Sequence, residues 1–175
     1  TDRRTNAPVT GDTVFEAASL GKVAAAYASL LLLEAGRWSL DMPVRSPRLV
    51  VRPGCPDPTL GQLLSHTAGL GNDLLASRFE PACALPAGFS YAGQGYLVLQ
   101  DLIEAETGEP ADRFIEERIF APLGMHHTGY RAPDPAAMAT GHVDPVFALL
   151  IGGADRTVGT IATGVACAIG ALGLL

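Results

Sequence analysis

The sequence predicts a helix-dominated chain with little strand of its own, and three observations carry that prediction. Val23 to Leu33 is an apolar segment, broken only by Ser29, with Gly36 just beyond it. Gln94 to Thr107 sets Tyr96, Leu99, Leu102, Ile103 and Glu106 at helical spacing, with Gly108 as the stop. Thr59-Leu60-Gly61-Gln62 has the Thr-x-x-Gln form of a capping box, the signature of a helix start.

Taken in order, residues 1–14 are polar, and Pro8 to Thr13 reads as a turn or short extended entry. The first helix is expected from about Ser19 to Ala35, because Ala, Leu and Lys favour helix and Gly36 suits the position after the last turn. Leu30 to Leu33 makes it apolar nearly all round, as in a buried central helix. Five prolines between Trp38 and Pro58 forbid a long helix there, and Leu49-Val50-Val51 reads as a short strand. The capping box opens a short helix through Ser65, and the loop His66 to Gly71 follows. Residues 71–90 are irregular, with one helical turn near Leu74 to Ser77. After the amphipathic helix, Pro110 suits the first position of another, about Ala111 to Phe120, which Pro122 stops. Asp112, Arg113, Glu116 and Glu117 are expected on its solvated face. Beyond Met125 the chain is loop-like to Pro145.

At 175 residues with 48% hydrophobic and 17% charged content, the chain is long and apolar enough for one ordinary domain and is not disordered. A net charge of −6 offers no basic face for nucleic acid. Cys55, Cys83 and Cys167 are odd in number and widely spaced, so free thiols are expected and the compartment is left open. Thr1-Asp2-Arg3-Arg4 is polar with no apolar run behind it, so these residues are not expected to be a signal peptide. Thr157 to Leu175 is nineteen residues without a charge, but rich in Gly, Ala and Thr. A buried helix is favoured there over a membrane-associated one. The expected division is therefore 1–145 for the domain and 146–175 for an apolar C-terminal segment.

Chemistry points to Ser19 and Lys22. On a helix they are surface neighbours, so hydroxyl and amine can face one another. The chain has eleven arginines and a single lysine, and that lysine is Lys22. Arginine keeps its proton at usable pH, whereas a buried lysine can release one and activate a serine. These residues alone leave two readings open: proton chemistry at Ser19, or a solvated first-turn lysine.

Five stretches in fixed order then resemble one family. They are Asp12-Thr13-Val14-Phe15 with Ser19-Leu20-Gly21-Lys22; Leu33 to Val44; Leu63-Leu64-Ser65-His66-Thr67-Ala68-Gly69-Leu70; Phe89-Ser90-Tyr91 before Gly95-Tyr96; and Pro122-Leu123-Gly124-Met125 with Thr128. Together they resemble the serine β-lactamases and penicillin-binding-protein-like serine hydrolases, closest to the class C β-lactamase and esterase branch, over about residues 8 to 142. The resemblance implies an α+β, β-lactamase/transpeptidase-like fold. The chain would cover mainly its helical region, with most of the antiparallel sheet missing at the two ends.

It also implies an acyl-enzyme mechanism without cofactor or metal. Ser19 would attack a small-molecule ester, peptide or lactam carbonyl. Lys22 would act as base or as a charge on its neighbours, and Tyr91 would accept or relay the proton. A phenol of pKa about 10 is a poor base alone, so Tyr91 needs a cation beside it. Two departures stand out. The family's Tyr-Ser-Asn is here Tyr91-Ala92-Gly93, and Gly93 has no carboxamide to place a substrate, which weighs against a true β-lactamase. The family's downstream Lys- or His-x-Gly is not matched either, since His127-Thr128-Gly129 lies inside the Pro-Leu-Gly-Met block. An esterase or D-alanyl peptidase is the resulting expectation, and a non-catalytic, truncated binding remnant is the competing one. His66 is expected to be a loop histidine bonded to backbone rather than a triad member. His126, His127 and His142 lack the carboxylate support of a metal site. The family is often exported, and the sequence itself leaves localisation unassigned.

Overall fold

The computed structural model describes residues 6, 8–10, 13–15 and 17–130. A 3₁₀ turn, Ala18–Leu20, leads into α1, Gly21–Glu34. Three further helices follow: α2, Leu60–Leu64; α3, Gly93–Thr107; and α4, Ala111–Ile115, which runs on as a π turn over Glu116–Phe120. Isolated bridges, rather than extended strands, pair Pro43 with Thr59 antiparallel and Leu49 with Phe79 parallel. The expected strand at Leu49 to Val51 is thus corrected to a single bridge. Pro47 and Pro53 on either side leave too few free N–H groups for a ladder.

One core joins the helices. Ala25, Ala28 and Leu32 of α1 belong to it with Leu60, Leu63, Leu97, Leu99, Ile103, Phe114 and Ile115. α1 was expected to be buried all round, and that is corrected too. Only the Lys22, Ala25, Ala28, Ser29, Leu32 face is buried, while Leu20, Val23, Tyr27 and Leu30 are half exposed or more. The small Ala residues at i and i+3 let α3 and α4 come close to that face, which fixes which side of the helix turns inward.

Local chemistry sets the ends. The Thr59 side chain accepts the Gln62 N–H at 3.3 Å, and Gln62 accepts the Thr59 N–H at 3.0 Å. This closes the expected capping box, worth about 1 kcal/mol. Gly108 ends α3 in the left-handed conformation that glycine adopts without penalty. Arg37, just past α1, donates Nε to Glu106 near the end of α3 at 2.7 Å, clamping the two exits together.

Two further expectations are corrected. Cys55 and Cys83 form a disulfide with Cα atoms 4.8 Å apart, so they are not free thiols. Linear spacing could not show this, because the fold brings the residues together across 28 positions. Closing a loop of this size contributes about 3–4 kcal/mol in the chain-entropy account. Asp112 is buried rather than solvated, its Oδ1 accepting the Arg113 N–H at 2.8 Å. Arg113 and Glu117 do face solvent, as an ion pair at 2.7 Å. No helix among the described residues is long and apolar enough to cross a membrane. The expectation for 146–175, Cys167 and His142 lies outside the described residues.

Candidate functional site

The site begins on a strained turn. Ala18 takes a left-handed φ of 45°, a conformation that costs a Cβ-bearing residue about 1–2 kcal/mol. The turn leaves Ser19 exposed ahead of α1. One turn on, Lys22 lies on the buried face of the helix and its side chain is only 9% exposed. Its Nζ donates to Ser19 Oγ at 3.2 Å. The ammonium also lies 5.2 Å from the centre of the Tyr91 ring and 5.8 Å from that of Tyr96. Two aromatic rings thus stand where solvent would surround a surface lysine. The solvated first-turn lysine does not describe this residue.

Tyr91 arrives from the segment just before α3, and its phenol interacts with both Ser19 and Lys22. Partial burial pushes the phenol up. Hydrogen bonding with Ser19 and Lys22, together with the Lys22 charge, outweighs it, and the net position is below the ordinary tyrosine value. Tyr96 moves the other way, pushed up by burial and by the neighbouring Tyr91. Of two phenols beside one lysine, Tyr91 is therefore the one disposed to ionise.

The loop between α2 and α3 forms the remaining wall. His66 takes a positive φ of 56° and its Nδ1 accepts the Ala92 N–H at 3.0 Å. It is bonded to backbone, as expected. Its ring is also 4.8 Å from that of Tyr91 and 5.2 Å from that of Tyr96. Burial, and then the Lys22 charge, hold the imidazole below its ordinary range. An open groove of about 720 Å³ runs past Ser19, Lys22, His66, Tyr91 and Tyr96 and along the Val23, Ala26, Tyr27, Leu30 side of α1. His126 and His127 do not line it, and no cluster of His, Cys, Asp or Glu among the described residues could hold a metal.

The glycine at 93 has a steric reason. A Cβ there would meet Leu74 Cδ2 at 2.5 Å and Asn72 Oδ1 at 2.6 Å. Asn72 Oδ1 accepts the Gly93 N–H at 2.9 Å, so a side chain from the preceding loop fills the space at the head of α3. The structure thus brings Ser19, Lys22 and Tyr91 together, and adds two groups not expected at the site, Tyr96 and the ring of His66. Tyr96 sits in the Gly95-Tyr96 part of the tyrosine motif, the one signal that could have nominated it.

A serine at the head of a helix, a lysine one turn on and a phenol from the segment leading into the next long helix stand here on a β-lactamase/transpeptidase-like fold. The Beta-lactamase family model matches residues 1–167, and the chain belongs to that family. Among curated relatives, Penicillin-binding protein 4 of Amycolatopsis lactamdurans is 35% identical over 147 residues, covering 72% of this chain and 38% of the relative. Esterase EstB of Burkholderia gladioli is 28% identical over 177 residues, covering 82% and 45%. The chain therefore spans less than half the length of either. Among solved structures, D-amino acid amidase from Ochrobactrum anthropi SV3 aligns with a TM-score of 0.66 and 27% identity, over 80% of this chain and 46% of that one. A penicillin-binding protein from Bacillus halodurans aligns at 0.65 and 25%, over 82% and 52%.

Proposed function

We propose that this chain carries the nucleophile side of a serine hydrolase that works through an acyl-enzyme on an ester, amide or lactam. The observation that carries the reading is the convergence of Lys22 on the Ser19 hydroxyl, at 3.2 Å, and on Tyr91. In the acylation step Tyr91, ionised beside the Lys22 charge, takes the Ser19 proton as Oγ bonds to the substrate carbonyl carbon. Negative charge then develops on the carbonyl oxygen near the head of α1, where the helix dipole favours it. When the tetrahedral intermediate collapses, the alcohol or amine leaves with the proton that Tyr91 took. Water on the same path releases the acyl group and returns Ser19.

The substrate is drawn more coarsely. Relatives named as penicillin-binding proteins, an esterase and a D-amino acid amidase support an ester or amide carbonyl. Gly93 has no carboxamide, which favours an esterase or D-alanyl peptidase over a true β-lactamase.

Labelling with a fluorophosphonate and with a fluorescent penicillin tests this, read by intact mass and peptide mapping. One adduct per chain, on Ser19 and absent from Ser19→Ala, is the expected result. A folded chain that takes neither label would replace this reading with that of a binding protein without turnover.

A further inference from the structure

The Tyr91 side chain is 44% exposed, so packing alone does not hold its phenol in place. What brackets it is one residue of the neighbouring loop. The Ser90 N–H donates to the His66 carbonyl at 3.0 Å, and the Ala92 N–H donates to His66 Nδ1 at 3.0 Å. The N–H groups of the residues on both sides of Tyr91 thus end on His66. Its positive φ of 56° belongs to the arrangement that presents carbonyl and side chain to one segment. The imidazole also lies against the Tyr91 ring at 4.8 Å, tilted by 31°, while Phe89 meets it edge-on at 5.8 Å.

We propose that His66 is the positioning residue for Tyr91, fixing its phenol against Ser19 and Lys22 through these two backbone hydrogen bonds and the ring contact. The inference rests on the reading of Tyr91 as the proton acceptor for Ser19. It requires the neutral imidazole, because a protonated Nδ1 has no lone pair for the Ala92 N–H. The groups facing the ring are Lys22 from α1, Tyr96 from α3 and Tyr91 itself. A second cation beside Lys22 would be repelled, and burial adds to that, so the imidazole is held neutral below its ordinary range. His66 therefore ties the placement of Tyr91 to pH, and the hold loosens in acid.

The test follows the Tyr91 phenol directly, by NMR of the full chain with ¹³Cζ-labelled tyrosine, alongside the rate of Ser19 labelling by a fluorophosphonate. In His66→Ala, Tyr91 is expected to titrate higher than in the wild type, and labelling to slow about 10–100-fold. His66→Asn keeps a carbonyl acceptor near Nδ1 and tolerates positive φ, so it should restore the lower titration and most of the rate. In the wild type the Tyr91 resonance should shift in step with imidazole protonation, and in His66→Asn it should not. That last pair of measurements decides the matter if His66→Ala does not fold. A Tyr91 titration unchanged in folded His66→Ala, or a resonance indifferent to imidazole protonation, would overturn the proposal. Tyr91 responding in a chain whose Ser19 takes no label would uphold the positioning and sink the hydrolase. Unaltered Tyr91 behaviour with full Ser19 labelling would do the reverse.

Discussion

The phenol of Tyr130 donates to the main-chain carbonyl of Gly21 at 2.8 Å, across 109 residues of sequence. It ties the segment after the π turn to the first residue of α1, two positions from Ser19. The Tyr130 N–H donates in turn to Glu116 Oε1 at 3.2 Å, and its ring lies 6.1 Å from that of Phe120. Tyr130→Phe should cost about 1–2 kcal/mol in urea unfolding, since a half-buried acceptor loses its partner. Burial, and then the charge of Glu116, push the Tyr130 phenol far above its ordinary value. A group raised in the folded state contributes stability that is complete below its unfolded pKa, about 10, and lost as pH rises beyond it. Wild-type stability should therefore fall above pH 10, and Tyr130→Phe should flatten part of that fall.

The depressed Tyr91 phenol gives the acylation rate a pH signature. Labelling of Ser19 should rise with pH as Tyr91 ionises and level off below the ordinary phenol range. Tyr91→Phe should lose this limb and slow acylation by roughly 10²–10⁴-fold. Lys22→Met removes the charge that lowers the phenol, so the limb should move to higher pH in the stopped-flow profile. A profile indifferent to both substitutions would remove Tyr91 from the chemistry.

Gly93→Asn supplies the asparagine of the family's tyrosine motif, yet the structure argues against improvement. The new side chain would collide with Leu74 and with Asn72, which already bonds the Gly93 N–H. Thermal denaturation should show a loss of about 1–3 kcal/mol. Combining it with Asn72→Gly should recover part of the loss by clearing the space.

Helix existence was legible in the sequence wherever periodicity and end signals agreed. The Thr59 to Gln62 box and Gly108 did so, and both were found where expected. Ser19, Lys22 and Tyr91 were also legible, through motif order and the solitary lysine, and they do come together. What could not be read depends on partners distant in sequence. An α1 apolar nearly all round gave no hint that Val23, Tyr27 and Leu30 would face outward, because neighbours rather than composition choose the buried side. Asp112 was assigned to solvent by charge alone, and its burial follows from the packing of α4. His66 looked like an ordinary loop residue, because its bonds to either side of Tyr91 span some two dozen positions.

The bond between Cys55 and Cys83 turns the intervening stretch into a closed ring, with His66 on it and Leu75, 90% exposed, at its outer edge. Scission of the main chain beside Leu75 would put Ser19, Lys22 and His66 on one polypeptide and Tyr91 on another. The two pieces would still run as a single species until a thiol reductant parted them. The grouping around Ser19 is, in that sense, insured against one cut.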